Sequence, residues 1–190
     1  MADMSSGPSD VAHNPAPEGM PEPDPGFNNI ILTGFMGTGK STVGRLLAQR
    51  LHLKHIDTDK MIERRHGPIP RIFEEQGEDG FRTIERDIAK ELTTDVGYVI
   101  STGGRFMLDP ENVAALQQGN RIFCLVAELA VIMERVMRRR SSRPLLAGDD
   151  PQSRVEELMR IRAEGYGQFE AVSTDERPPT KVVDDIISRL

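Results

Sequence analysis

Cysteine is nearly missing: Cys124 stands alone among 190 residues, so no intrachain disulfide can form and a disulfide scaffold is excluded. It lies in the apolar run 122–126, where a buried strand residue is its expected role. The four histidines are scattered and none stands at metal-ligand spacing to the cysteine, which excludes zinc-ribbon and zinc-finger patterns. No apolar run reaches the length of a membrane span and the N-terminus has no hydrophobic signal core, so a cytoplasmic protein without a membrane partner is expected. An excess of positive charge is missing too. The formal net charge is −6, and residues 1–26 supply five acids (Asp3, Asp10, Glu18, Glu22, Asp24) with no lysine or arginine; removing those five charges leaves about −1 for the remainder. Neither a nucleic-acid footprint nor an acidic partner surface follows from that balance. The same 26 residues, rich in Pro, Ser and Gly, have almost no large apolar side chains. They cannot bury enough surface to offset the entropy of ordering, so a disordered tail followed by one domain over 27–190 is expected.

What the remainder does contain is Gly34-Phe35-Met36-Gly37-Thr38-Gly39-Lys40-Ser41, which fits the phosphate-binding pattern G-x-x-x-x-G-K-[ST] at every fixed position. The run before it, 29–33, is apolar and β-branched enough for a buried strand, and 43–51 after it has apolar groups at helical spacing. Strand, glycine-rich turn and helix aim backbone N–H groups from Gly37 to Thr42, and the positive end of a helix dipole, at one point. Lys40 is placed to reach the β- and γ-phosphates of ATP, and the Ser41 hydroxyl to ligate Mg²⁺. A ligand-free glycine turn would not need this register.

Taken in order, the chain alternates strand and helix. A second strand over 53–57 ends in Asp57-Thr58-Asp59; if the chain stays extended there, a period of two sets both carboxylates on one side. Helices are predicted over 61–65, 70–76 and 78–92, with breaks at Gly67-Pro68 and Gly77. Arg82 and Glu85, three apart on the last of these, can meet, and on a helix surface such a pair is as a rule a solvated ion pair. A third strand, 97–101, runs into Thr102-Gly103-Gly104-Arg105, where adjacent glycines mark close backbone approach to a ligand or a turn. Helix 110–118, strand 121–126, helix 128–137, helix 151–169, strand 171–174 and helix 179–190 complete the rhythm. That rhythm implies an α/β fold with a parallel sheet covered on both faces and a ligand at the strand ends. The basic, turn-rich loop at about 138–150 reads as a lid, and Arg143, set before a proline, as its phosphate-reaching cation.

These residues describe a small P-loop phosphotransferase. Moving a γ-phosphoryl group needs positioning and charge neutralisation: Lys40 and Mg²⁺ on the phosphates, one of Asp57 and Asp59 for the metal shell and the other for the acceptor hydroxyl, and arginines that exclude water. With Arg82, Arg143 and Arg162 available, the acceptor reads as an anion, because guanidinium matches a carboxylate. No interface signal is visible, so a monomer is the default.

The chain from about Asn29 onward resembles the shikimate kinases. The landmarks, in order, are Gly34 to Gly44, Asp57-Thr58-Asp59, Ile72-Phe73 with Gly77-Glu78, Phe81-Arg82 with Glu85, Thr102-Gly103-Gly104 and Arg143-Pro144-Leu145-Leu146. The resemblance implies ATP-dependent phosphorylation of the 3-hydroxyl of shikimate, on a three-layer α/β/α P-loop fold with a five-stranded parallel sheet of order 2-3-1-4-5 and a lid. By the same resemblance Asp59 binds the acceptor hydroxyl and serves as base, while Asp57 holds Mg²⁺ through water beside the Ser41 ligand. Arg82 and Arg162 clamp the carboxylate, and Gly103 and Gly104 offer the substrate backbone N–H groups. Arg143 closes onto the phosphates, and Arg135 and Pro179 flank the adenine. Two positions depart from the family pattern. Arg105 stands where a third glycine is usual, bringing a long cation to the acceptor and strain if φ is positive there; Glu164 stands where proline is common. Two rival readings remain open: a gluconate-kinase-like enzyme for another polyhydroxy acid, and a silent nucleotide-binding relative.

Overall fold

The computed structural model describes residues 26–138 and 150–190. The expected tail up to residue 25, and most of the expected lid with Arg143, fall outside the described residues. Within them the chain runs β1 (Asn29–Thr33), α1 (Lys40–Leu51), β2 (Lys54–Asp57), α2 (Thr58–His66), α3 (Ile69–Leu92), β3 (Tyr98–Ser101), a 3₁₀ turn (Phe106–Leu108), α4 (Pro110–Leu116), β4 (Asn120–Val126), α5 (Leu129–Met137), α6 (Pro151–Gly167), β5 (Glu170–Ser173) and α7 (Pro179–Ile187).

The five strands form one sheet of order β2-β3-β1-β4-β5 with every pairing parallel. The alternation of side chains along β1 divides the core. Ile30 and Leu32 face α1 and α7 in a cluster with Leu47, Val182, Val183 and Ile186. Ile31, pointing the other way, joins Ile62, Ile84, Ile88 and Leu92 of α2 and α3. All five residues of β1 are buried, as a central parallel strand with helices on both faces requires. A smaller apolar cluster, Phe35, Ile132, Val136 and Val155, fixes the phosphate loop against α5 and α6. The result is the three-layer α/β/α arrangement expected from the alternation.

Strand order reverses at β1, whose neighbours β3 and β4 are consecutive in the chain but lie on opposite sides of it in the sheet, and this switch point is where open α/β sheets bind ligands. The loop that leaves β1 there is crowded. Gly34 has φ +128°, and a Cβ on it would stand 2.2 Å from the Leu125 carbonyl oxygen of the adjacent strand. Only glycine fits both the angle and the approach.

One local expectation is corrected. The segment after β2 does not stay extended: Asp57 caps α2, its Oδ1 accepting from the Lys60 N–H at 3.3 Å, so Thr58 and Asp59 are already helical. A carboxylate that satisfies an orphan N–H at a helix start outweighs the weak strand tendency of three polar residues. The break expected at Gly77 is present: α3 is interrupted there, where Gly77 leaves helical geometry with φ 71° and ψ −173°.

Replacing Gly34 with alanine should lower the unfolding free energy by about 3 kcal/mol, from backbone overlap plus a strained φ. Chemical denaturation of the variant measures this; a loss below about 0.5 kcal/mol would contradict the crowding argument.

Candidate active site

A cleft of about 830 Å³ lies across the carboxyl ends of the strands. Its centre is the phosphate loop. Helix α1 begins immediately after Gly39, which has φ 96° and no side-chain cap, so the first N–H groups of α1 lack a cap from that side chain and remain available to an anion. Gly37, Thr38, Gly39, Lys40, Ser41 and Thr42 all line the cleft. Lys40 Nζ donates to the loop's own carbonyls, Gly34 O at 2.7 Å and Phe35 O at 2.9 Å. Ser101 Oγ of β3 donates to Lys40 O at 3.0 Å and thereby pins the helix start to the sheet.

Ser41 Oγ donates to Asp57 Oδ2 at 2.7 Å. Two hard oxygen donors side by side at a phosphate loop fit Mg²⁺, which takes few protein ligands and completes its shell with phosphate and water. Among the described residues no group of three His, Cys, Asp or Glu side chains could hold a metal ion.

Asp59, in the first turn of α2, is partly buried. Burial first, then the neighbouring Asp57 charge, holds its carboxyl above the usual aspartate range. Its Oδ1 leaves no room opposite: a Cβ on Gly103 would stand 2.4 Å from it. Glycine at 103 therefore admits Asp59 to the cleft. The Gly103 N–H donates to Thr58 Oγ1 at 2.9 Å, so here it ties β3 to α2 instead of facing an acceptor. Gly104 lines the cleft, and its carbonyl accepts from the Tyr166 hydroxyl.

The Arg82–Glu85 pair is not the solvated ion pair that helix statistics favour. Glu85 is 1% exposed and accepts from Arg82 Nη1 at 2.5 Å. Burial pushes the Glu85 carboxyl up to about 7, against the pull of Arg82 and with help from Asp59. Arg82 also donates to Glu78 Oε1, from Nη2 at 2.9 Å and Nε at 3.3 Å, and its guanidinium lies 5.2 Å from the centre of the Phe81 ring. Arg162 reaches the cleft from α6 with its guanidinium 5.5 Å from the Phe35 ring centre. Arg105 has φ −116° and ψ −5°, so the strain expected of a positive φ is absent; its side chain faces the cleft and donates to Glu78.

Opposite these residues, on the β4–β5 side, Arg135 donates to Thr174 O at 2.7 Å, Thr174 Oγ1 at 2.9 Å and Gly37 O at 3.4 Å. Pro179 opens α7 at the cleft wall, beside Arg177. The cleft thus holds Asp59, Arg82, Gly104, Arg105 and Arg162 at one end, the phosphate loop in the middle, and Arg135 and Pro179 at the other. The sequence reading missed the links between them: Thr58 to Gly103, Tyr166 to Gly104, and Glu78 shared by two arginines. The only signal for the last was the i, i+4 spacing of Glu78 and Arg82.

A phosphate loop at the switch point of a parallel sheet, with an oxygen pair for a cation and a partly buried carboxylate across from it, defines a P-loop kinase for a small acceptor. Comparison with known proteins narrows the class. A family model described as shikimate kinase matches residues 36–190. The shikimate kinase of Thioalkalivibrio sulfidiphilus is 45% identical over 162 residues, covering 84% of this chain and 85% of that protein. That of Thermus thermophilus is 42% identical over 163 residues, covering 85% and 89%. The structure of shikimate kinase from Acinetobacter baumannii in complex with shikimate superposes with a TM-score of 0.80 at 34% identity, over 86% of this chain and 92% of that one. A gluconokinase from Sinorhizobium meliloti reaches a TM-score of 0.60 at 18% identity, a likeness of fold alone, over 86% and 91% of the two chains. The chain belongs to the shikimate kinase family and is an ATP-dependent kinase.

The raised Glu85 carboxyl has a measurable consequence. Its folded pKa lies above the unfolded value, so what it contributes to stability is complete below pH about 4.5 and is lost as pH rises through about 7. Relative to Glu85→Gln, the wild-type protein should therefore lose unfolding free energy between pH 5 and 7.5, by about 2 kcal/mol. Denaturation curves of the two proteins across that range test this, and a constant difference would mean that folded Glu85 holds no proton.

Proposed function

We propose that this protein transfers the γ-phosphoryl group of ATP to the 3-hydroxyl of shikimate, a step of aromatic biosynthesis, with Mg²⁺ bound beside the nucleotide at Ser41 and Asp57. The observation that carries the reading is a single cleft that puts the partly buried Asp59 carboxylate and the arginines 82 and 162 on one side of a complete phosphate loop. We also take the protein to act as a monomer in the cytoplasm, where ATP is supplied. Among the described residues no helix is long and apolar enough to cross a membrane.

In this mechanism the loop N–H groups and Lys40 hold the β- and γ-phosphates, Lys40 leaving the carbonyls of Gly34 and Phe35 for phosphate oxygens. When bound, Mg²⁺ neutralises phosphate charge. Arg82 and Arg162 hold the acceptor carboxylate, which orients its hydroxyl toward Asp59. Asp59 takes the hydroxyl proton while the acceptor oxygen bonds to the γ-phosphorus and the bond to the β–γ bridging oxygen breaks, leaving ADP. The raised Asp59 pKa suits this role, because a base closer in pKa to its working pH accepts a proton more readily. Arg135 and Pro179 flank the adenine, and Arg143 closes from the lid.

The direct test is ADP release with ATP and Mg²⁺, with shikimate, quinate or gluconate as acceptor. Dependence on shikimate is expected; activity only with gluconate would favour the sugar-acid reading, and binding without turnover of any acid would favour a silent relative. Asp59→Asn should lower kcat by at least about 100-fold while leaving ATP affinity unchanged. Near-normal turnover would remove Asp59 from the base role. Arg82→Ala should raise KM for the acceptor by about tenfold or more, the scale of one charged hydrogen bond, and an unchanged KM would contradict the clamp.

A further inference from the structure

We propose that Arg105 is a third arginine for the acceptor carboxylate, held in the free enzyme by Glu78, whose carboxylate stands in for that of the acceptor. The inference rests on the reading that the acceptor is shikimate.

Three guanidinium groups converge on this end of the cleft. Glu78 Oε1 accepts from Arg105 Nη1 and from both Nη2 and Nε of Arg82. Arg162 adds to the positive field on the same carboxylate, and the Glu78 carboxyl is held below the usual range, first by its hydrogen bond to Arg82. Arg82, Arg105 and Arg162 also line the cleft. Glu85, already paired with Arg82 and buried, does not reach out to neutralise all three. One internal carboxylate shared by two guanidinium groups is the arrangement that an incoming carboxylate would complete. Glu78 can yield its place. Its side chain is about half exposed, so water can take over as its partner, and it directly follows the Gly77 bend of α3. Arg105 is built on ordinary backbone at the end of β3, so its side chain can be removed without strain. Its partners lie at the carboxylate-binding end of the cleft, with Arg82, Glu85 and Arg162, which makes it a specificity-determining residue and not a participant in phosphoryl transfer.

The test measures binding of shikimate and of its methyl ester by calorimetry with full-length protein and no nucleotide, together with steady-state kinetics. Arg105→Gly and Arg105→Met should each raise the Kd for shikimate by about tenfold, with KM following and with little change in kcat, in KM for ATP or in melting temperature. The methyl ester, which lacks the charge, should bind the variants and the wild type alike. Glu78→Gln, which removes the competing charge, should tighten shikimate binding several-fold. Equal losses for acid and ester, no loss for either, or weaker binding in Glu78→Gln would each overturn the proposal, as would failure of the wild type to bind shikimate. Binding without turnover would instead overturn the proposed function and leave the role of Arg105 standing.

Discussion

Asp57 has two carboxylate oxygens, and each holds a different helix. Oδ1 caps α2 through the Lys60 N–H, while Oδ2 accepts from Ser41 in the first turn of α1. The strand that carries Asp57 is registered on β3, with Asp57 opposite Ser101, and Ser101 in turn holds α1 in place by donating from its hydroxyl to Lys40 O. The start of the phosphate-binding helix and the start of the acceptor helix are therefore fixed to each other through hydrogen bonds only a few ångströms long. Asp59 owes its position to this arrangement. If α2 began one residue later, the Asp59 side chain would turn by about 100° around the helix axis and leave the cleft.

The cleft runs against the usual rule that charges stay in water. Glu85 is deeply buried with the partly buried Asp59 beside it, and both carboxyls sit above their ordinary range because burial disfavours the ionised form. Arg82 compensates in part, and the stacked rings of Phe73 and Phe81, 4.7 Å apart, close the apolar side of the same wall. Such a site is costly in stability and useful in chemistry. Buried carboxylates and arginines interact strongly with a charged acceptor because little water screens them.

Sheet topology assigns the ends of the cleft. Residues at the ends of β2 and β3 line one end, the loop after β1 lines the middle, and Thr174, Arg177 and Pro179 around β5 and α7 line the other, the places that the proposed function gives to acceptor, phosphates and nucleotide base. An order of 2-3-1-4-5 therefore puts the phosphate loop between two compartments. Transfer between an acceptor and a triphosphate needs that order in space, since the γ-phosphoryl group must lie between the hydroxyl it joins and the nucleotide it leaves.

The alternation of strands and helices, the phosphate loop and the break at Gly77 were legible in the sequence because each is written locally, in hydrophobic period and in glycine placement. Membership of the shikimate kinase family was legible for the same reason, since its landmarks are short segments in fixed order. The sequence alone did not determine whether Asp57-Thr58-Asp59 would be strand or helix. It could not say whether Arg82 and Glu85 would meet in water or in the core, or what would surround Arg105. Those outcomes depend on which residues of distant segments arrive beside them. Lys60 and Ser41 claim Asp57, burial under β3 claims Glu85, and the approach of α3 gives Glu78 to Arg105. The free energy of a charge is set by the solvent and partners around it, and only the folded chain supplies those.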